Sequence, residues 1–145
     1  MKELEWVKGN HVKMKMEIIY LAPYADGECK ERDFLVSYAG NNKILGVIDS
    51  LGEIGIFTHL ISPAVVREKM PLKLYSGFSL KKDKFMLYYP CTASFPVLRE
   101  VLSVISSIKL MFKIKKNNSV KALIFYNYRP ETAFPAVFGK LFLKL

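Results

Sequence analysis

Cysteine is scarce in this chain of 145 residues. Cys29 and Cys91 are the only two, at a separation that matches no metal-ligand motif and gives no disulfide framework. The expectation is a pair of reduced thiols in a reducing compartment, with no metal and no cofactor. The first strand-like run is not followed by G-x-G-x-x-G, which argues against NAD or FAD binding of the usual Rossmann kind. The opening residues, MKELEW, lack the apolar core of a secretory signal. No apolar run reaches the length of a membrane-spanning helix. The most apolar helical stretch, 101–108, is followed by Lys109 and Lys113. A cytoplasmic location is therefore expected, with a peripheral position on the inner face of a membrane as its extension. Acidic residues are also few: 13 Asp and Glu against 22 Lys and Arg leave a net charge of +9. Such an excess draws the protein toward anions. Its lysines are scattered, at 81–82, 84, 109, 113, 115–116 and 140, and form no compact Arg-rich block. Nucleic acid is thus not an expected partner.

What remains is an ordinary globular balance, 51% hydrophobic and 24% charged, in a length that suits one domain. Residues 1–15, including Trp6, carry no sustained period and read as a loose N-terminal arm, so that the ordered domain begins near Met16. Two short β-rich runs, 18–22 and 56–61, flank a helical pattern over 41–54 whose apolar face is Ile44, Leu45, Val47, Ile48, Leu51 and Ile54. Asn41 and Asn42 read as its N-cap, Gly46 as a close approach to the sheet, and Gly55 as its C-terminal stop. This is a βαβ unit, right-handed by default. The connection over 24–38 is polar and long, which suits either a functional segment or a solvated loop. His59 reads as a structural histidine, since no partner lies at an interpretable spacing.

Residues 72–90 suggest a β-hairpin or a pair of edge strands protected by lysines. A long amphipathic helix follows over 95–116. Pro96 sits in its first turn, Val97, Leu98, Val101, Leu102, Val104, Ile105, Ile108, Met111 and Phe112 form a wide apolar face, and a basic end suits the dipole. Residues 120–145 then read as strand, polar corner and helix. In open α/β sheets, ligands bind in the crevice beyond the carboxyl ends of the strands. The corner over 127–131 is therefore the best candidate edge of a site. The expected fold is α/β: a Rossmann-like, partial parallel sheet with helices on both faces and a β-hairpin or edge-strand insertion.

Three stretches, in this order and spacing, carry a resemblance to a known family. The first runs from Tyr38-Ala39-Gly40-Asn41-Asn42-Lys43-Ile44 through Leu51-Gly52-Glu53-Ile54-Gly55 to Leu60-Ile61-Ser62-Pro63. The second is the hairpin and helix over 78–116, and the third is 122–140. Together they resemble the N-terminal domain of a GT-B-fold glycosyltransferase of the retaining, glycogen-synthase-like group (family 4 type). The resemblance spans 16–145 and implies about the first third of such an enzyme. It implies sugar transfer from a nucleotide-sugar to a polysaccharide or lipid-linked acceptor, with the acceptor held by this domain. The donor site, including an acidic E-x7-E element, would belong to a C-terminal domain or a separate donor-binding subunit. By this mapping Tyr24, Gly27, Asn41, Lys43, Asn127, Arg129 and Glu131 are the acceptor-binding candidates. Asn127 and Glu131 suit sugar hydroxyls, and Arg129 and Lys43 suit a phosphate. No residue is assigned as a catalytic acid, base or nucleophile. Lys109, Lys113, Lys115 and Lys116 are candidates to face an anionic membrane. The competing expectations are a truncated or split glycosyltransferase, inactive alone, and a small non-catalytic α/β binding module. The first predicts exposed apolar surface on the terminal helix.

Overall fold

The protein is described from a computed structural model over residues 16–27, 29, 32–67 and 72–145. The arm expected over 1–15, with Trp6, lies outside the described residues. Strand β1 (Met16–Leu21) leads through helix α1 (Tyr38–Glu53) to β2 (Ile56–Ile61). Short strands β3 (Leu74–Tyr75), β4 (Phe78–Lys81), β5 (Phe85–Tyr89) and β6 (Thr92–Ala93) follow. Helix α2 (Pro96–Asn117) returns to β7 (Val120–Phe125), and α3 (Pro130–Phe138) runs into a π-helical turn, Gly139–Leu143.

Five strands form one sheet in the order β4-β5-β2-β1-β7. β1, β2, β5 and β7 are parallel, and β4 pairs antiparallel with β5. The apolar runs of β1 and β2 are buried over their last four residues because helices cover both faces. On one face Tyr20, Leu60, Leu87 and Tyr89 pack with Ile44 and Ile48 of α1. On the other, Ile19, Leu21 and Ile61 pack with Met111 and Ile114 of α2 and Ala136 of α3. Each such side chain contributes roughly 1.5–3 kcal/mol on burial. From β1 the chain winds outward through β2 to β5. It then crosses back along α2 and inserts β7 on the opposite side of β1. The winding reverses between β1 and β7, which makes their carboxyl ends the topological switch point.

The structure redraws several local expectations. Helix α1 begins three residues before Asn41. Ser37 is its N-cap, extended in backbone, with its Oγ accepting from Gly40 N at 3.3 Å. Asn41 lies inside the helix instead, and its carboxamide clasps Ala25: Nδ2 donates to Ala25 O at 2.6 Å and Oδ1 accepts from Ala25 N at 3.1 Å. A Cβ on Gly46 would meet nothing within 4 Å, so that glycine makes no close approach to the sheet. Gly55 does stop the helix, at φ 80°.

The hairpin is real, but only β4 is an edge insertion. β5 is the third parallel strand, paired with β2. Leu74–Tyr75 belongs to a separate ribbon with Thr92–Ala93. On α2 the wide apolar face is split. Val97, Val101, Ile105 and Phe112 point outward, each about half exposed or more. The buried stripe is Ser103, Ser107, Met111 and Ile114. Small serines let the helix lie close to the β3–β6 ribbon, where Ser103 Oγ donates to Thr92 Oγ1 at 3.2 Å.

The connection after β1 is not a solvated loop. Tyr24, Ala25, Asp26, Arg32 and Phe34 are all buried. Phe34 stacks on Tyr89 with centroids 4.6 Å apart. The Arg32 guanidinium donates to Ser76 O at 2.5 Å and to Pro90 O at 2.9 Å. α3 buries Glu131, Thr132, Pro135 and Ala136 and leaves Phe134 and Val137 exposed, as are Leu141 and Phe142 beyond it. This is the exposed apolar surface expected of the terminal helix. Gly139 brings the segment close to its neighbours: a Cβ there would sit 2.5 Å from Met111 Cε and 2.8 Å from Leu123 Cδ2.

Candidate functional site: a basic crevice at the switch point

A crevice of about 620 Å3 opens beyond the carboxyl ends of β1 and β7. Pro23 forms one shoulder, and Tyr126 and Asn127 form the other. Its floor is apolar, from Ile44, Ala64 and Val65. Ser37, Ala39 and Gly40 place the first turn of α1 in the wall. The amides of that turn carry the positive end of the helix dipole, which suits an anionic ligand. Three cations, Lys43, Arg99 and Arg129, line the same space, and none of the lining side chains is acidic. Arg99 Nε is buried without a hydrogen-bond partner among the described residues. Such a donor costs stability unless a ligand or solvent meets it.

The β7 corner is held in a special conformation. Asn127 has φ 69°, in the left-handed region that asparagine tolerates better than most residues. Thr132 Oγ1 donates to Asn127 O at 2.6 Å and to Arg129 O at 3.0 Å, fixing the corner to the first turn of α3. Asn127 and Arg129 are thereby presented at the lip. Strained backbone of this kind is often retained where a ligand is held.

Of the seven acceptor-binding candidates, Lys43, Asn127 and Arg129 line this crevice, and four do not. Tyr24 is buried in the α1-side core, its ring edge-on to Phe85 and its backbone tied to Ser62 Oγ. Gly27 is exposed on the connection. Asn41 is engaged with Ala25. Glu131 is buried in the first turn of α3 with one carboxylate oxygen unpartnered. Sequence reading missed Arg99 and Ser37. Arg99 looks like a solvated residue in the first turn of a helix, and only the crossover from β5 to β7 carries it into the crevice. Ser37 was legible as a cap-type residue just ahead of the helical pattern.

The four membrane candidates also separate. Lys109, Lys113 and Lys116 are exposed. Lys115 is half-buried and donates to Val120 O at 2.7 Å, joining the end of α2 to the start of β7. His59 is buried on the α2-side face of the sheet, with Nδ1 3.2 Å from Tyr88 Oη and Nε2 3.4 Å from Glu17 Oε2. Burial pulls its pKa below the ordinary value, against a smaller upward pull from Glu17. Cys29 and Cys91 form no disulfide. Among the described residues no cluster of three metal-ligating side chains occurs, and no helix is long and apolar enough to cross a membrane.

These features define an open α/β domain with an anion-suited crevice at its switch point. Comparison with protein-family models, with curated proteins and with solved structures finds no match to this chain.

Proposed function

We propose that this chain is the acceptor-side domain of a GT-B-fold glycosyltransferase. It acts in sugar transfer from a nucleotide-sugar to a polysaccharide or lipid-linked acceptor, and a donor-binding domain or subunit completes the enzyme. The observation that carries the reading is the crevice at the β1–β7 reversal. It joins a helix N-terminus, three cations and a polar corner over an apolar floor, a combination that suits a phosphate-bearing saccharide. Lys43, Arg99 and Arg129 pair with the phosphate, and the Asn127 carboxamide meets sugar hydroxyls. A titration of the full chain with a short-chain polyprenyl diphospho-sugar in detergent tests this. The parent chain binds, and Lys43→Gln, Arg99→Gln and Arg129→Gln each weaken binding about tenfold, as loss of one charge-assisted contact implies. UDP- and GDP-sugars do not bind the chain alone. An affinity unmoved by the three substitutions together removes the crevice from the reading. Tight binding of a nucleotide-sugar overturns the assignment of the donor site to another domain.

The same domain sits peripherally on a membrane in this proposal. Val97, Val101, Ile105 and Phe112 face outward from α2, and Phe112 continues through Phe138 to Phe142 as a chain of ring contacts. Lys109, Lys113 and Lys116 on α2 and Lys140 and Lys144 at the end of the chain's last helical segment are exposed. An apolar, cationic face of this kind suits an anionic bilayer surface.

A further inference from the structure

A second cavity, of about 350 Å3, opens between the β4–β5 hairpin and the flank of α2. It shares no lining residue with the switch-point crevice. Lys109 and Lys113, exposed and one helical turn apart on α2, border it and put two cationic side chains at its rim. Ser79 and Ser106 add hydroxyls, and Phe78, Tyr88 and Leu110 add wall. The hydroxyls are well supported. Ser106 Oγ accepts from Cys91 N at 2.9 Å, which leaves its own O–H to donate. Tyr88 Oη donates its O–H to His59 Nδ1, whose Nε2–H faces Glu17, so Tyr88 contributes wall and not a donor, and Ser79 and Ser106 are the hydroxyls free to meet an anion. No acidic side chain lines the space.

We infer that this cavity binds a phosphate monoester carried by a membrane lipid. A monoester holds up to two negative charges on one small group, and two lysines with converging hydroxyls match it better than they match a singly charged diester. The adjoining Phe78 and Leu110 accept the carbon skeleton. The lipid source follows from position: Ile105 and Phe112, exposed on α2, lie one turn and one residue ahead of Lys109 and Lys113 respectively. The source of the phosphate thus rests on the membrane reading above, whereas the phosphate site itself does not.

The test titrates the full chain against phosphatidylcholine vesicles containing either phosphatidic acid or phosphatidylglycerol, matched in zeta potential. Soluble glycerol 3-phosphate is titrated separately. Two double variants remove equal charge: Lys109→Gln with Lys113→Gln, and Lys116→Gln with Lys140→Gln. The parent prefers phosphatidate about tenfold. The 109/113 variant binds phosphatidylglycerol vesicles about thirtyfold more weakly, the change expected when two surface lysines are lost, and phosphatidate vesicles about three-hundredfold more weakly, so the preference disappears. The 116/140 variant weakens both vesicles alike and keeps the ratio. Equal affinity for the two lipids in the parent overturns the inference, as does loss of the ratio in the 116/140 variant. Glycerol 3-phosphate binding that depends on Lys109 and Lys113, without association to either vesicle, overturns the lipid source and the membrane reading together. Absence of binding to vesicles and to glycerol 3-phosphate overturns the site.

Discussion

Arg32 sets a contest between two large terms, and its replacement by methionine measures the outcome. The side chain is 5% exposed, and burial pulls its pKa down from the usual value. Its guanidinium donates to two carbonyls, Ser76 O and Pro90 O, and lies 5.0 Å from the Phe78 ring centroid and 5.8 Å from those of Tyr75 and Tyr89. Two hydrogen bonds from a charged donor contribute about 1.5–3 kcal/mol each, and the ring contacts about 1–2 kcal/mol together. Against this stands the cost of burying the cation, several kcal/mol. Methionine recovers that cost and much of the packing, but leaves two carbonyls unmet. The expected loss for Arg32→Met is about 2 kcal/mol. Arg32→Ala adds a cavity and loses about 4 kcal/mol. Arg32→Lys falls between, because one ammonium does not reproduce the planar fork. Urea unfolding at neutral pH, followed by far-UV circular dichroism and tyrosine fluorescence, gives these differences directly. The crevice provides a second readout. Leu35, Val36 and Ser37 line it and lie just beyond the Arg32–Phe34 anchor, so the methionine variant also weakens ligand binding there. An Arg32→Met variant as stable as the parent would show the buried charge to be a net burden and refute the clamp.

Two further expectations concern titration and the end of α2. His59 has a folded pKa below its unfolded value near 6.5, so its neutral form supplies stability that is complete above that pH and is lost as pH falls toward the folded pKa. The urea midpoint therefore drops on acidification from pH 7 to below 6, and His59→Gln makes that drop smaller; an unchanged slope counts against burial as the cause. Lys115 and Lys116 are neighbours with different work. Lys115→Gln destabilises the fold by about 1 kcal/mol through the lost bond to Val120 O, read as a lower melting temperature, and leaves vesicle binding nearly intact. Lys116→Gln does the reverse, and matching effects of the two would contradict the placement.

Much of the fold was legible because the signals are local. The run at 56–61 predicts β2 to the residue, Gly55 marks the end of α1, and Pro96 marks the start of α2. Patterns that depend on a partner surface read less well. The apolar count along α2 pointed to a wide buried face, yet the side that packs is the one whose serines permit close approach, at Ser103 and Ser107. The buried course of the connection after β1 rests on Arg32 meeting carbonyls 44 and 58 residues away, which no local period reports. For the site, the corner at Asn127 and Arg129 was readable from strand, turn and helix in succession. Arg99 was not, since its place follows from which strand α2 leads to.

The two borders of the sheet are built to different standards. β4 is short and antiparallel, alternates half-buried with exposed residues, and ends at Lys81 and Lys82. β7 is longer, parallel and apolar through Ala122, Leu123, Ile124 and Phe125, and among the described residues it pairs with β1 alone. β7 is guarded by lysine only at its start, where Lys121 is exposed and Lys115 bonds Val120 O, so its apolar second half is the border better suited to act as a template. A strand added beside β7 would lie next to the corner that presents Asn127 and Arg129, so that assembly and ligand capture would meet at the same end of the same strand.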